Sequence, residues 1–520
     1  MGQASIAARF LERARCAARD PALLWRDETI SYGELLKRTQ DAAARLAGAP
    51  AGTVGVLAAK SPESVALILG CLLTGRAFLV ASPSLPEATL AELVERAGCV
   101  RVFTDSPGGP AAGLAETTPR RAAIPAARTA VETAAGSPVE IALGGPRDIG
   151  FMLTTSGSTG IPKIVPLPNG AVAEFARWAD TTFGLGPQRR VLNYAPLNFD
   201  LCLLDIWATL AAGGCCVLVD HAQATNAPAL AHQITEATLH VVQAVPLLFE
   251  LLMDADLVAP SVRHVIATGY AIRAECLAAL PRMFPNARLH NLYGCTETND
   301  SFLAPLRPGA PLVLGDALPG VTARLVSADG REVIGEGTGE LWVATAFQTP
   351  GYLGGALAEK FVERDGVRFF RSGDLVQRHG DGSLTLLGRT DFQVKVAGQR
   401  VNLQEIEQRL LVHPSVLEAA VVAIADERYG QRLHAAVCRR PGAVLDSLQL
   451  RRHCVAHLPR AAMPQTIAIG DQALPKTPTG KVDRNRIKEL AWTAGTPSSS
   501  TSSRSSHQTS GPPTSTPTTT

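Results

Sequence analysis

Short, uniformly apolar, β-branched runs recur at helix-spaced intervals along most of this chain, and no other feature constrains its fold as tightly. Thr53–Lys60 (TVGVLAAK) is the first clear case. CVRVFTD near residue 100, GGCCVLVD, LHVVQAV, RHVIATG and ARLHNLYG repeat it, with helical stretches such as PLLFELLMD between them. A strand that is apolar on both faces needs cover on both faces, so the pattern predicts an α/β fold with layered, largely parallel sheets. Ser61-Pro62-Glu63 supplies an N-cap, a first-turn proline and a dipole-matched acid for the helix VALILGCLLTG.

After Gly388 the texture changes. FQVKVAGQRV reads as strand-turn-strand, and LQEIEQRLLVHP as an amphipathic helix with Leu403, Ile406, Leu410 and Leu411 on one face. EAAVVAI and LHAAVC follow as strands, completing a compact α+β unit of domain size. At 520 residues the chain exceeds one hydrophobic core. The expected organisation is a large N-terminal domain over 1–390, a small C-terminal domain over 391–490, and a Ser/Thr/Pro-rich tail over 491–520 too polar to fold.

Composition excludes several partner classes. A formal charge of +2 gives no reason to expect a nucleic-acid surface or an acidic membrane. The longest apolar run, roughly Val65 to Gly75, is far short of the ~20 residues a membrane helix needs. The first residues carry no signal-peptide core. The ten cysteines form no C-x-x-C pair and sit mainly in apolar runs, which suits reduced, buried thiols in a soluble, cytoplasmic protein.

The chemistry begins at LTTSGSTGIPK (Leu153–Lys163). Here Thr155, Ser156, Gly157, Ser158, Thr159, Gly160 and Lys163 gather hydroxyls, glycines and one cation behind a strand-like FML. Glycines let backbone N–H groups turn toward an anion, while the hydroxyls and the lysine add donors. That set suits a triphosphate, although the G-x-x-x-x-G-K-[ST] spacing of a Walker A loop is absent. Taken alone, the stretch reads equally as a flexible Ser/Gly turn.

The same chain also carries NLYGCTE (Asn291–Glu297), GELW (Gly339–Trp342), FRSGDL (Phe370–Leu375), GRTDFQVKVAGQR (Gly388–Arg400) and LPKTPTGK (Leu474–Lys481). In this order and spacing the set resembles the core motifs of the adenylate-forming superfamily, which includes adenylation domains of peptide synthetases, acyl-CoA synthetases and luciferases. The resemblance runs from about Pro21 to about Leu490. It implies ATP and Mg²⁺ as cofactors. The 155–163 loop would close over the β- and γ-phosphates, with Tyr293 also in the ATP site. Glu297, after Thr296, matches the Mg²⁺ carboxylate, and Asp374 the ribose binder with Arg389 beside it. Asp391 falls at the hinge. Lys481 matches the catalytic lysine, which bridges the substrate carboxylate and the α-phosphate. Swinging the small domain would then remove Lys481 and present Lys395–Arg400, where Gly398 leaves room for a pantetheine arm.

Asp200 in NYAPLNFDLCLLDIW matches the position that amino-acid-activating members use for the substrate ammonium. Its ordinary alternative is a helix cap, since the helical LCLLDIWATL follows it. Asp205 is a weaker rival one turn on. By the same resemblance Leu201, Leu204, Ala244, Ile266, Thr268, Leu292, Asp300 and Ser301 line the pocket, which favours a small side chain. Asp300 is unusual there, so an α- or a β-amino acid fits. The family's acidic GGE turn reads TGYAI here, over Thr268–Ile272. No D-S-L or D-S-I carrier signature follows Leu490, so the expected acceptor is the thiol of a separate carrier protein, with free coenzyme A and an organic acid as the alternative. A binding protein without activity is expected to have lost Lys481 or Glu297, and both are present.

Overall fold

In the computed structural model the described residues are 4–47, 50–104, 121–123, 141–155, 162–355, 357–389, 392–426, 430–476 and 482–495. Ser156–Gly160 of the phosphate loop, Asp391, Lys481 and the end of the chain from 496 lie outside them.

The apolar runs pair as their composition requires. Among the described residues the larger sheet has nine strands; its central parallel set includes Arg190–Asn193, Val241–Ala244, His264–Thr268 and Arg288–Cys295. Antiparallel strands, Asn299–Pro305 at one side and Glu28–Ser31 at the other, flank that set. A six-stranded sheet gathers Thr53–Leu57, Phe78–Val80 and Cys99–Thr104 with Ile149–Thr155, against which Lys163–Pro168 turns back antiparallel. A third, antiparallel sheet is built on Gly337–Ala344 and Val367–Arg378. Crossover helices bury the sheet faces. Pro62–Leu73 is buried along its whole length except at Glu63, and Ser61 caps it by accepting from the Ser64 N–H.

The small domain has its own core. Gln393–Val396 and Gln399–Asn402 form the expected hairpin, and the helix Leu403–Leu411 follows, capped by Asn402. Leu403, Ile406 and Leu410 pack against the sheet of Val416–Asp426, Gly430–Arg439 and Thr466–Gly470. Leu411 does not join them: it is exposed, while Glu407 is buried and paired with Arg484 at 2.7 Å. The final helix, Arg484–Gly495, runs past the expected start of the tail because Ile487 and Ala491 pack on the outer face of that sheet.

Two further expectations are corrected. LCLLDIWATL is not a plain α-helix: Leu203–Ala208 forms a π-helix, and only Thr209–Ala212 is α. A wider turn suits a segment whose residues are all buried, Asp205 included. Cys16 is exposed, whereas the other nine cysteines are buried; all ten are free thiols. Among the described residues no helix is long and apolar enough to cross a membrane.

Candidate active site

The C-terminal ends of parallel strands are where an α/β sheet exposes backbone and loops to a ligand. Asn193, Ala244 and Thr268 end three neighbouring strands here, and Cys295 ends the next. The segments that follow these ends carry Asp200, Leu201, Leu204, Thr296, Glu297, Asp300 and Ser301.

Asp200 lies beyond the first of these ends. Its carboxylate accepts the Thr296 hydroxyl at 2.7 Å rather than a helix N–H, so it is not the cap of the following helix. Burial pushes its carboxyl up, and the Thr296 bond and the charge of Lys395 draw it back. Asp205 does other work. It is fully buried and accepts from Asn193 at 3.2 Å and from Gln243 at 3.0 Å. Gln243 also donates to the Leu201 carbonyl at 3.0 Å, and so fixes the backbone next to Asp200. Lys60 pins the other side, donating to the carbonyls of Asn193, Tyr194 and Ala195 at 2.8, 3.2 and 3.1 Å. Burial pushes the Lys60 ammonium down to about 8.

Leu204, Ile266 and Leu292 share one hydrophobic cluster, with Leu201 at its border. Ala244 instead packs into the second cluster with Val242 and Ala267, although the resemblance placed it in the pocket lining. Thr268 pairs in register with Leu292. Ser301 is fully buried and its hydroxyl lies 3.3 Å from that of Thr298. Asp300 pairs with Gly294 at a register shift in the hairpin. Burial, then the charge of Asp200, pushes its carboxyl up to about 8.

The nucleotide-side residues form a second group. Asp374 accepts from the Tyr293 hydroxyl through one oxygen and from Arg389 at 2.6 Å through the other. Arg389 also donates to the Ser372 carbonyl at 2.8 Å and to Gln393 at 3.2 Å, tying the ribose-side pair to the small-domain hairpin. Thr155 and Lys163 stand opposite each other in register, holding the two ends of the phosphate loop together. Among the described residues the buried Thr155 hydroxyl meets no hydrogen-bond partner.

Glu297 joins the groups. It is fully buried, accepts from the Tyr352 hydroxyl at 2.5 Å, and pairs with Arg400 of the hairpin at 3.1 Å through both oxygens. Burial alone would raise its carboxyl; Arg400 first and Tyr352 next hold it below the usual range. Lys163 lies over the Tyr352 ring at 5.1 Å. Tyr352, Gln243 and Lys60 carry no sequence signal beyond being polar residues in apolar company. Among the described residues no cluster of three metal-ligating side chains exists. A Mg²⁺ that arrives with ATP needs only one or two protein carboxylates besides phosphate oxygens and water, and Glu297 fits that part.

The hairpin closes the site from the other side. Gly398 sits against the large domain: a Cβ there would lie 2.5 Å from Val245 Cγ1, so the room expected at this glycine is taken up by Val245. Lys395 is half-buried; desolvation lowers its ammonium, and it acts on the charges of Asp200, Asp300 and Asp374.

Known proteins match most of this chain. The family model for the AMP-binding enzyme matches residues 10–353, and that for the AMP-binding enzyme C-terminal domain matches 405–481. The chain is 32% identical over 506 residues to the L-proline--[L-prolyl-carrier protein] ligase of Streptomyces coelicolor, covering 91% of this chain and 94% of that protein. It is 31% identical over 488 residues to the phenyloxazoline synthase MbtB of a Mycobacterium species, where it covers 91% of itself but only 41% of the relative. The solved structure of the amide bond synthetase McbA from Marinactinospora thermotolerans superposes with a TM-score of 0.83 at 25% identity, covering 94% of this chain and 99% of that one. On the extent of these matches, and on a fold that pairs a large α/β domain with a small α+β one, the chain belongs to the AMP-binding enzyme family of the adenylate-forming superfamily.

Proposed function

We propose that the protein activates a small amino acid with ATP as an aminoacyl-adenylate, releases pyrophosphate, and transfers the aminoacyl group to the phosphopantetheine thiol of a separate carrier protein. The observation that carries the amino-acid reading is the Asp200 carboxylate, half-buried next to Leu201 at the border of an apolar cluster and held at 2.7 Å by Thr296. A buried carboxylate without a fixed partner cation is costly, and a substrate ammonium supplies that cation. The carrier reading is supported by the similarity to a carrier-protein ligase along nearly all of that relative's length.

In this reading the substrate carboxylate attacks the α-phosphorus, and charge develops where two anions meet. Lys481 bridges the attacking oxygen and the phosphate, stabilising that charge as it forms. Glu297 would hold a Mg²⁺, which would supply positive charge against the phosphate oxygens. Thr155 and Lys163 anchor the β- and γ-phosphates at the two ends of the loop Thr155–Lys163 that contains Ser156–Gly160. Asp374 accepts from the ribose hydroxyls, oriented by Arg389 and Tyr293. The small domain, residues 391–490, then turns about Asp391 and brings Lys395–Arg400 to the site for thiol attack. The structure has that hairpin against Glu297.

ATP–pyrophosphate exchange over a panel of α- and β-amino acids and their des-amino analogues tests the substrate class. Loading of a holo-carrier against coenzyme A tests the acceptor. Preference for a des-amino acid and coenzyme A would make the protein an acyl-CoA ligase instead.

A further inference from the structure

Glu297 is shaped to hold one cation at a time. Its side chain is 1% exposed, Tyr352 already occupies one oxygen, and Arg400 Nη1 stands 3.1 Å from both. A Mg²⁺ ligand must come within about 2.1 Å of its ion, and the guanidinium fills that approach. The two partners belong to different domains. Glu297 follows the large-domain strand Arg288–Cys295, and Arg400 lies in the hairpin strand Gln399–Asn402. The ion pair therefore forms only while the hairpin is seated.

We propose that Arg400 is a positioning residue that takes the divalent cation's place on Glu297, so that departure of the cation with pyrophosphate and seating of the hairpin for thiol attack are one coupled event. This rests on the reading of Glu297 as the metal carboxylate. The physical need is clear: a carboxylate this deeply buried is strongly disfavoured once its cation leaves, and a replacement charge must arrive. Arginine suits the role because its charge is permanent and its planar head reaches both carboxylate oxygens. Two cations that bind one group in two different domain arrangements must oppose each other, and the opposition is reciprocal. Metal favours the arrangement with the hairpin withdrawn, and Arg400 the arrangement with it seated.

The test uses the full chain with a donor–acceptor dye pair on exposed Cys16 and on a cysteine introduced at exposed Val455. Mg²⁺ is titrated in the presence of α,β-methylene-ATP while energy transfer reports domain arrangement. We expect the Mg²⁺ midpoint of Arg400→Ala to fall by at least about fivefold, the low end of ordinary coupling between sites, with Arg400→Lys between it and the parent. Arg400→Lys keeps a cation in place and so covers the case in which the alanine variant folds poorly. Unchanged midpoints in both variants overturn the proposal. Glu297→Gln separates the two failures. If it leaves the midpoint unchanged, Glu297 is not the metal carboxylate and both readings fall. If it weakens the response while both Arg400 variants match the parent, only the competition falls.

Discussion

Thr296 donates a 2.7 Å hydrogen bond to Asp200 from a segment 96 positions away, so the carboxylate is engaged across the site and not by the backbone of the helix that follows it. A helix cap would be spent on its own backbone; this carboxylate is held from across the site and stays available to a cation. Asp200→Asn keeps the shape and removes the charge. Breaking a buried pair in this way costs about 3–5 kcal/mol, or roughly two to three and a half decades in kcat/KM for the amino acid. The KM for ATP is spared, and a des-amino analogue loses little further activity in the variant. Wild-type efficiency in Asp200→Asn would assign the protein to acyl substrates.

Lys481→Ala should lower ATP–pyrophosphate exchange by about 10²–10³, the usual effect of losing one donor aimed at developing charge. Because that charge appears in the transition state, ATP affinity should change little. In the proposed cycle the small domain carries Lys481 away before thiol attack, so transfer from a pre-formed adenylate should survive. A loss below about fivefold in exchange would remove Lys481 from the catalytic set.

The layered fold was legible because parallel strands covered on both faces are apolar throughout, and Val241–Ala244 or His264–Thr268 show that in a few residues. The hairpin at Gln393–Asn402 and the helix after it were legible by alternation and by helical period. What remained hidden depends on distant segments meeting. Arg400 and Glu297 are 103 positions apart, and Lys60 reaches carbonyls more than 130 positions away. No local pattern encodes such pairs. The π-helix was hidden for another reason: Leu203–Ala208 is buried on every side, so its sequence has no polar face to reveal the period.

Gly398 carries a steric prediction. Its φ of +82° already disfavours a side chain, and a Cβ would meet Val245 Cγ1 at 2.5 Å. Gly398→Ala should therefore slow aminoacyl transfer while adenylate formation, which in the proposed cycle uses another domain arrangement, persists. Trimming the obstacle with Val245→Ala should recover part of the lost transfer in the double variant, because residues in contact do not act additively. Equal loss of both half-reactions in Gly398→Ala, with no recovery in the pair, would show that the glycine serves folding alone.

Asp300 makes the site's pH dependence specific. Burial and the charge of Asp200 raise its carboxyl from 3.8 to about 8, against the opposing charge of Lys395. The folded protein therefore keeps a proton that the unfolded chain releases once pH passes the ordinary carboxylate range. Stability from this group is fully present below about pH 4, declines as pH rises toward about 8, and levels off beyond. Asp300→Asn abolishes that slope, so its melting temperature should gain on the parent across this window and run parallel to it on either side. Parallel curves throughout would mean that Asp300 ionises freely in the native state. Substrate gives the second half of the test. An ammonium placed beside Asp300 favours its charged form and expels the held proton. Binding of such an amino acid near neutral pH should therefore release a proton, seen as a buffer-dependent binding enthalpy that Asp300→Asn lacks. An amino acid whose amine reaches only Asp200 acts on Asp300 solely by offsetting the Asp200 charge, so the difference between the two proteins should be smaller, which separates an α-amine from one placed further along the chain.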